Sequence, residues 1–147
     1  MEEQVYRDAT ELVCKHGSIE QIKTQLDFIL NNTLDVHHDE CKALVFEHLV
    51  DYGRLRDAFK ISKTYSISCG HANNVLIQSA CEFGDAELVR SLLAEPTVDP
   101  TEHHDVCLTL ALSNGNLAVV KLLLEDGRIR PKTIGDDFRR SLERMQN

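Results

Sequence analysis

Residues 74–104 and 105–135 can be laid over one another at a spacing of 31 residues. Ala80 falls on Ala111, Gly84 on Gly115, Val89 on Val120, Leu92–Leu93 on Leu123–Leu124 and Pro100 on Pro131. A period near 30 residues is that of a chain built from stacked two-helix units, none of which can bury its apolar face alone. This restricts the expected fold to an all-α solenoid. It also points to a function carried by a long surface.

Each copy has the same local grammar. Val75, Leu76, Ile77 and Ala80 recur at helical spacing, and Gly84 ends that helix because glycine accepts the left-handed conformation a helix C-terminus needs. Asp85 is then a candidate cap for a second helix whose apolar face is Ala86, Val89, Leu92 and Leu93. Pro96 and Pro100 bar its continuation. In the next copy Asp105 is the candidate cap, Leu108, Ala111 and Leu112 pack, and Gly115 breaks the helix. Asn116 then caps a helix carrying Leu117, Val120, Leu123 and Leu124, which Gly127 closes.

Two degenerate copies precede these. One, at about 5–38, has Leu12, Val13, Gly17, Ile19, Ile22, Leu26 and Ile29; the other, at about 39–73, has Leu44, Leu49, Gly53, Leu55, Ala58 and Ile61. The break glycines stand at 17, 53, 84 and 115, so the first interval is 36 residues instead of 31. The surplus is expected near Asn31–Asp35 and in a long helix from about Glu40 to Tyr52. Ser62–Asn73 reads as a loop. Residues 135–146 read as a polar terminal helix, docked through Phe138 and Leu142, of the kind that closes an open repeat end.

At 147 residues the chain is long enough for one domain with a real core. No apolar run reaches the length of a membrane span, and the acidic start lacks the pattern of a signal peptide. Five irregularly spaced cysteines fit reduced thiols of a cytoplasmic protein, with the nucleus as a second compartment. Residues 1–120 carry 9 Lys/Arg against 19 Asp/Glu, whereas residues 121–147 carry 7 against 5. An acidic surface of this kind repels phosphate backbones, which argues against nucleic acid as the main ligand.

The segment Ala111–Leu124, ALSNGNLAVVKLLL, resembles the second-helix signature of ankyrin repeats, and Ala80–Leu93, ACEFGDAELVRSLL, is similar to it. The resemblance covers residues 74–131 most specifically and weakens toward the N-terminus. The family's T-P-L-H start is replaced by Val75-Leu76-Ile77-Gln78 and Val106-Cys107-Leu108-Thr109. Its turn-tying Thr and His bonds are therefore lost. Val98-Asp99-Pro100 and Ile129-Arg130-Pro131 stand where the family has its G-A-D-V turn, a form that resembles the divergent repeats of protists and large DNA viruses. The resemblance implies an ankyrin-like solenoid of about four helix-turn-helix repeats plus a C-terminal capping helix. It also implies binding of a protein partner through loop tips and the concave face of the first helices, without catalysis or cofactor.

By repeat position the binding residues are His71 and Asn73 before the third unit, and Thr101, Glu102, His103 and His104 before the fourth. Gln78 and Thr109 join them on the first helices. The expected role is that of a non-enzymatic adaptor or stoichiometric inhibitor, monomeric or an end-to-end dimer. The alternative is a metal- or redox-responsive protein. His-His-Asp-x-Cys occurs at His37, His38, Cys41 and at His103, His104, Cys107, with Cys69 and His71 as a further pair, and neutral His and thiolate are good zinc ligands. These spacings match no zinc finger or ribbon, and Asp39 and Asp105 read more simply as helix caps. Cys81 and Cys107 read as buried and inert, Cys14 and Cys41 as partly exposed. An enzyme sited in the N-terminal half is a third reading, without a nucleophile motif or a glycine-rich phosphate loop behind it.

Overall fold

The computed structural model describes residues 3–129, 140, 143 and 144; the side chains of residues 3, 5, 6, 73 and 104 lie outside that description. The described residues are helical, with no strand among them. The chain divides into two compact units, Met1–His71 and Ala72–Asn147. The terminal helix expected over 135–146 lies almost wholly outside the described residues, as does Pro131.

In the first unit α1 (Glu3–His16) and α2 (Ile19–Asn32) are joined at Gly17–Ser18, and α3 (His38–Asp51) and α4 (Leu55–Thr64) at Tyr52–Arg54. The connectors are short because the helix starts and stops are strong. Ser18 forms a reciprocal capping box with Gln21: its hydroxyl accepts the Gln21 N–H, and the Gln21 side chain accepts the Ser18 N–H. A single 3₁₀ turn, Asp35–His37, links α2 to α3 and holds part of the surplus of the first interval. The segment read as a loop from Ser62 is helical as far as Thr64, because Ile61 and Ser62 are still packed inside.

The core of this unit runs along one stripe of each helix: Ile22, Leu26 and Ile29 from α2; Val45, Phe46, Leu49 and Val50 from α3; Leu55, Ala58 and Ile61 from α4. Each of the larger side chains, Ala58 apart, contributes roughly 1.5–3 kcal/mol by leaving water. On α1 the buried positions are Thr10 and Cys14, one turn apart, so Leu12 on the opposite side is 62% exposed. Cys14, expected partly exposed, is fully buried.

Side chains bind the second helix pair to the first. Tyr52 donates to Glu11 Oε1 at 2.6 Å. The Tyr65 hydroxyl lies 2.7 Å from Asp27 Oδ1 and 3.2 Å from the Lys23 carbonyl. Arg54 donates from Nη1 to the Cys14 carbonyl at 2.9 Å, while its remaining nitrogens hold Asp57.

The second unit contains α5 (His71–Phe83) from its second residue on, α6 (Ala86–Leu93), α7 (Glu102–Ser113) and α8 (Leu117–Asp126). Leu76, Ile77, Ala80, Val89, Leu92, Ala111, Val120 and Leu123 are fully buried, but Ala86, Leu93, Leu117 and Leu124 of the expected faces are half-buried, and Leu88 and Val119, which those faces did not include, are buried in their place. Asp85 caps α6 by accepting the Leu88 N–H at 3.2 Å. Asn116 does not cap α8. Its amide reaches instead to the end of α5, donating to the carbonyls of Cys81 and Glu82 at 2.8 and 3.0 Å. Asp39 and Asp105 are not caps either. Each lies inside the first turn of its helix, where its charge still favours the N-terminal end of the dipole.

Gly53, Gly84, Gly115 and Gly127 all adopt positive φ. The register of the two clear copies extends to the backbone of ordinary residues: Ala72 and Asn74 have φ of 53° and 63°, and His103 and Asp105, 31 positions on, have 54° and 60°.

Candidate functional site

Of the residues expected on the loop tips, Thr101 is fixed by its own turn. Asp99 Oδ1 accepts both the Thr101 N–H at 2.9 Å and its hydroxyl at 2.6 Å. The Asp99 N–H in turn donates to Oδ1 of buried Asn74 at 2.7 Å. This Asn74–Asp99–Thr101 chain ties the turn between α6 and α7. It holds the Asp99 carboxyl below its usual pKa, mainly through the Thr101 hydroxyl and N–H, with Arg128 adding to the effect.

Glu102 is half-buried at the start of α7, and His103 stands exposed beside it. Thr109 is exposed farther along the same helix, and Gln78 is half-buried on α5. The side chains of Asn73 and His104 lie outside the described residues. His71 belongs to the first unit: its Nε2 lies 2.8 Å from Glu47 Oε1, and its ring meets Phe46 edge-on at 5.8 Å. It is thus committed to the scaffold.

The His/Cys motifs are dispersed by the fold. His37 Nδ1 lies 3.7 Å from Glu40, whereas His38 turns back to the Thr33 carbonyl at 3.3 Å. Cys107 is buried against Cys81, and the thiol–thiol hydrogen bond, together with burial, pushes the Cys81 thiol far up. Cys14 is pushed up to about 11 by burial, against the opposing pull of Arg54. All five cysteines are free thiols. Among the described residues, no group of three or more His, Cys, Asp or Glu side chains is placed to hold a metal ion.

Sequence reasoning missed a cleft of about 610 Å³ in the first unit. Its floor is Ile29 from α2 with Cys41, Ala43 and Leu44 from α3; Arg7 of α1 and His37 of the 3₁₀ turn stand at its edges. The Cys41 thiol is raised by desolvation and then by Glu40, with Arg7 and Thr33 acting the other way. This is the opposite of the shift that activates a cysteine nucleophile. The available signal was the 36-residue first interval, whose surplus supplies the turn that rims the cleft.

No helix among the described residues is long and apolar enough to cross a membrane. No protein-family model, curated protein or solved structure matches this chain.

Proposed function

We propose that this chain is a non-enzymatic protein-interaction module of ankyrin-like repeats, acting as an adaptor or stoichiometric inhibitor. The observation that carries the reading is the 31-residue register between the two clear copies, which reaches from Ala80/Ala111 and Gly84/Gly115 to the paired left-handed residues 72/74 and 103/105. Side chains that follow a break glycine and bond back to the preceding copy support it further, because a repeat fold is stabilised by contacts between neighbours. Pre-formed turns of this sort have their ordering cost met at folding, which favours affinity on binding.

The partner surface in this reading is the start and exposed side of α7, with His103 and Thr109 as its accessible residues and Thr101 and Glu102 beside them. Affinity capture from a lysate, read by mass spectrometry, tests it against a His103→Ala/Thr109→Ala variant. A dominant protein lost in the variant supports the reading. Capture indifferent to both positions removes this surface.

A further inference from the structure

Four of the five large apolar side chains left exposed among the described residues belong to the first unit, and two of them sit together. Leu34 and Val36 are 72% and 75% exposed on either side of Asp35 in the 3₁₀ turn. His37 of that turn lines the cleft, and Phe28, also exposed, lies one helical turn before the cleft residue Asn32 on α2. Exposed apolar side chains thus adjoin the lining along the chain: Leu34 follows Thr33, Val36 precedes His37 and Phe28 precedes Ile29. A small ligand filling the cleft would leave Leu34 and Val36 in water. An elongated partner would cover floor and lip together.

The charge on the lip selects among such partners. Asp35, Asp39 and Glu40 are exposed there, with the Asp35 and Glu40 side chains almost fully in solvent. At the cleft's edge Arg7 is the permanent cation of the lining, and Glu47 is already held by His71. Three exposed carboxylates against one guanidinium, beside an apolar trough between helices, disfavour phosphate and suit a helix with basic flanks.

We propose that this cleft is a docking groove for an amphipathic helical segment of a partner protein, with aliphatic side chains on one face and Lys or Arg beside them. The proposal uses the first unit alone and does not rest on the loop-tip surface of α7.

The test is fluorescence anisotropy of the full chain with a labelled Leu/Lys amphipathic peptide of roughly 18 residues, or five helical turns, beside a Leu/Glu counterpart. The Leu/Lys peptide should bind at least about tenfold more tightly than the Leu/Glu peptide. Leu34→Ser/Val36→Ser, which alters only exposed side chains, should weaken it by about tenfold, and so should Cys41→Trp, which fills the trough. Glu40→Lys should flatten the dependence on salt, while His103→Ala/Thr109→Ala should leave binding unchanged. Equal affinity for the two peptides, or no binding of either, overturns the proposal. So does binding that survives Leu34→Ser/Val36→Ser, since that marks attraction to the acidic chain as a whole.

Discussion

Asn116 occupies the space that a side chain on Gly84 would need. Its Oδ1 lies 2.7 Å from the position of a Cβ on that glycine, and its Nδ2 holds the Cys81 and Glu82 carbonyls of the same helix end. Arg54 makes the matching tie in the first unit. Arg54 and Asn116 each follow a left-handed glycine, and each donates to a cysteine carbonyl three residues before the break glycine of the preceding copy: Cys14 before Gly17, Cys81 before Gly84. Asp85 has the same repeat position but no proton to donate, and it caps its own helix instead.

Gly84 and Gly115 are therefore expected to respond differently to alanine. Both have positive φ, which costs an L-residue about 1–2 kcal/mol. A Cβ at Gly115 meets nothing within 4 Å. At Gly84 it must also displace the Asn116 amide, adding about 1–3 kcal/mol for lost or unsatisfied hydrogen bonds. Urea unfolding should rank Gly84→Ala well below Gly115→Ala, and Gly115→Val should be worse than Gly115→Ala because branching resists that conformation. Equal losses at 84 and 115 would remove the crowding argument.

A double-mutant cycle isolates the same contact. Asn116→Ala alone should lose about 1–2 kcal/mol with its two hydrogen bonds. In its background Gly84→Ala should cost only the conformational part, because the obstructing amide is gone. Strict additivity would mean that the two residues do not interact.

The thiols should react in two classes. Cys14, Cys69, Cys81 and Cys107 are buried, and Cys41 is half-exposed in its cleft. Native protein treated with a thiol reagent should release one equivalent, slowly because the Cys41 pKa is raised, and four more on unfolding. Cys41→Ser should abolish the native phase. A second thiol titrating in the native state would contradict the burial of Cys14, Cys69, Cys81 or Cys107.

Acid should weaken the turns of the second unit. Asp99 and Asp126 both have carboxyls held below their usual range, Asp99 chiefly by Thr101 and Asp126 chiefly by the Arg128 side chain. A depressed carboxyl contributes stability that is complete above its unfolded pKa of about 4. That stability is lost as pH falls through the lower folded value. Asp99 is exposed, so screening keeps its effect modest; the Asp126 side chain is more enclosed, against Arg128. Asp99→Asn keeps the acceptor oxygen and removes the titration, so its melting temperature should fall less steeply than wild type below about pH 4. Parallel curves would show that Asp99 does not contribute.

Much of the helical layout was legible in the sequence because it is set locally. The 3.6-residue apolar stripe chooses which face of each helix is buried, and glycine at positive φ chooses where the helix stops. Both rules act within a few residues, so α5 to α8 and their core could be drawn from residues 74–126 alone. The Ser18 capping box was equally local and was available in Ser-x-x-Gln. Where Asn116 and Arg54 send their amide and guanidinium was not local. Their acceptors lie 35 and 40 residues away, and only packing one helix pair on another brings them near. The same holds for Cys14, buried because α3 lies over it, and for the cleft, which exists only where α1, α2 and α3 meet around a turn that the repeat period does not contain.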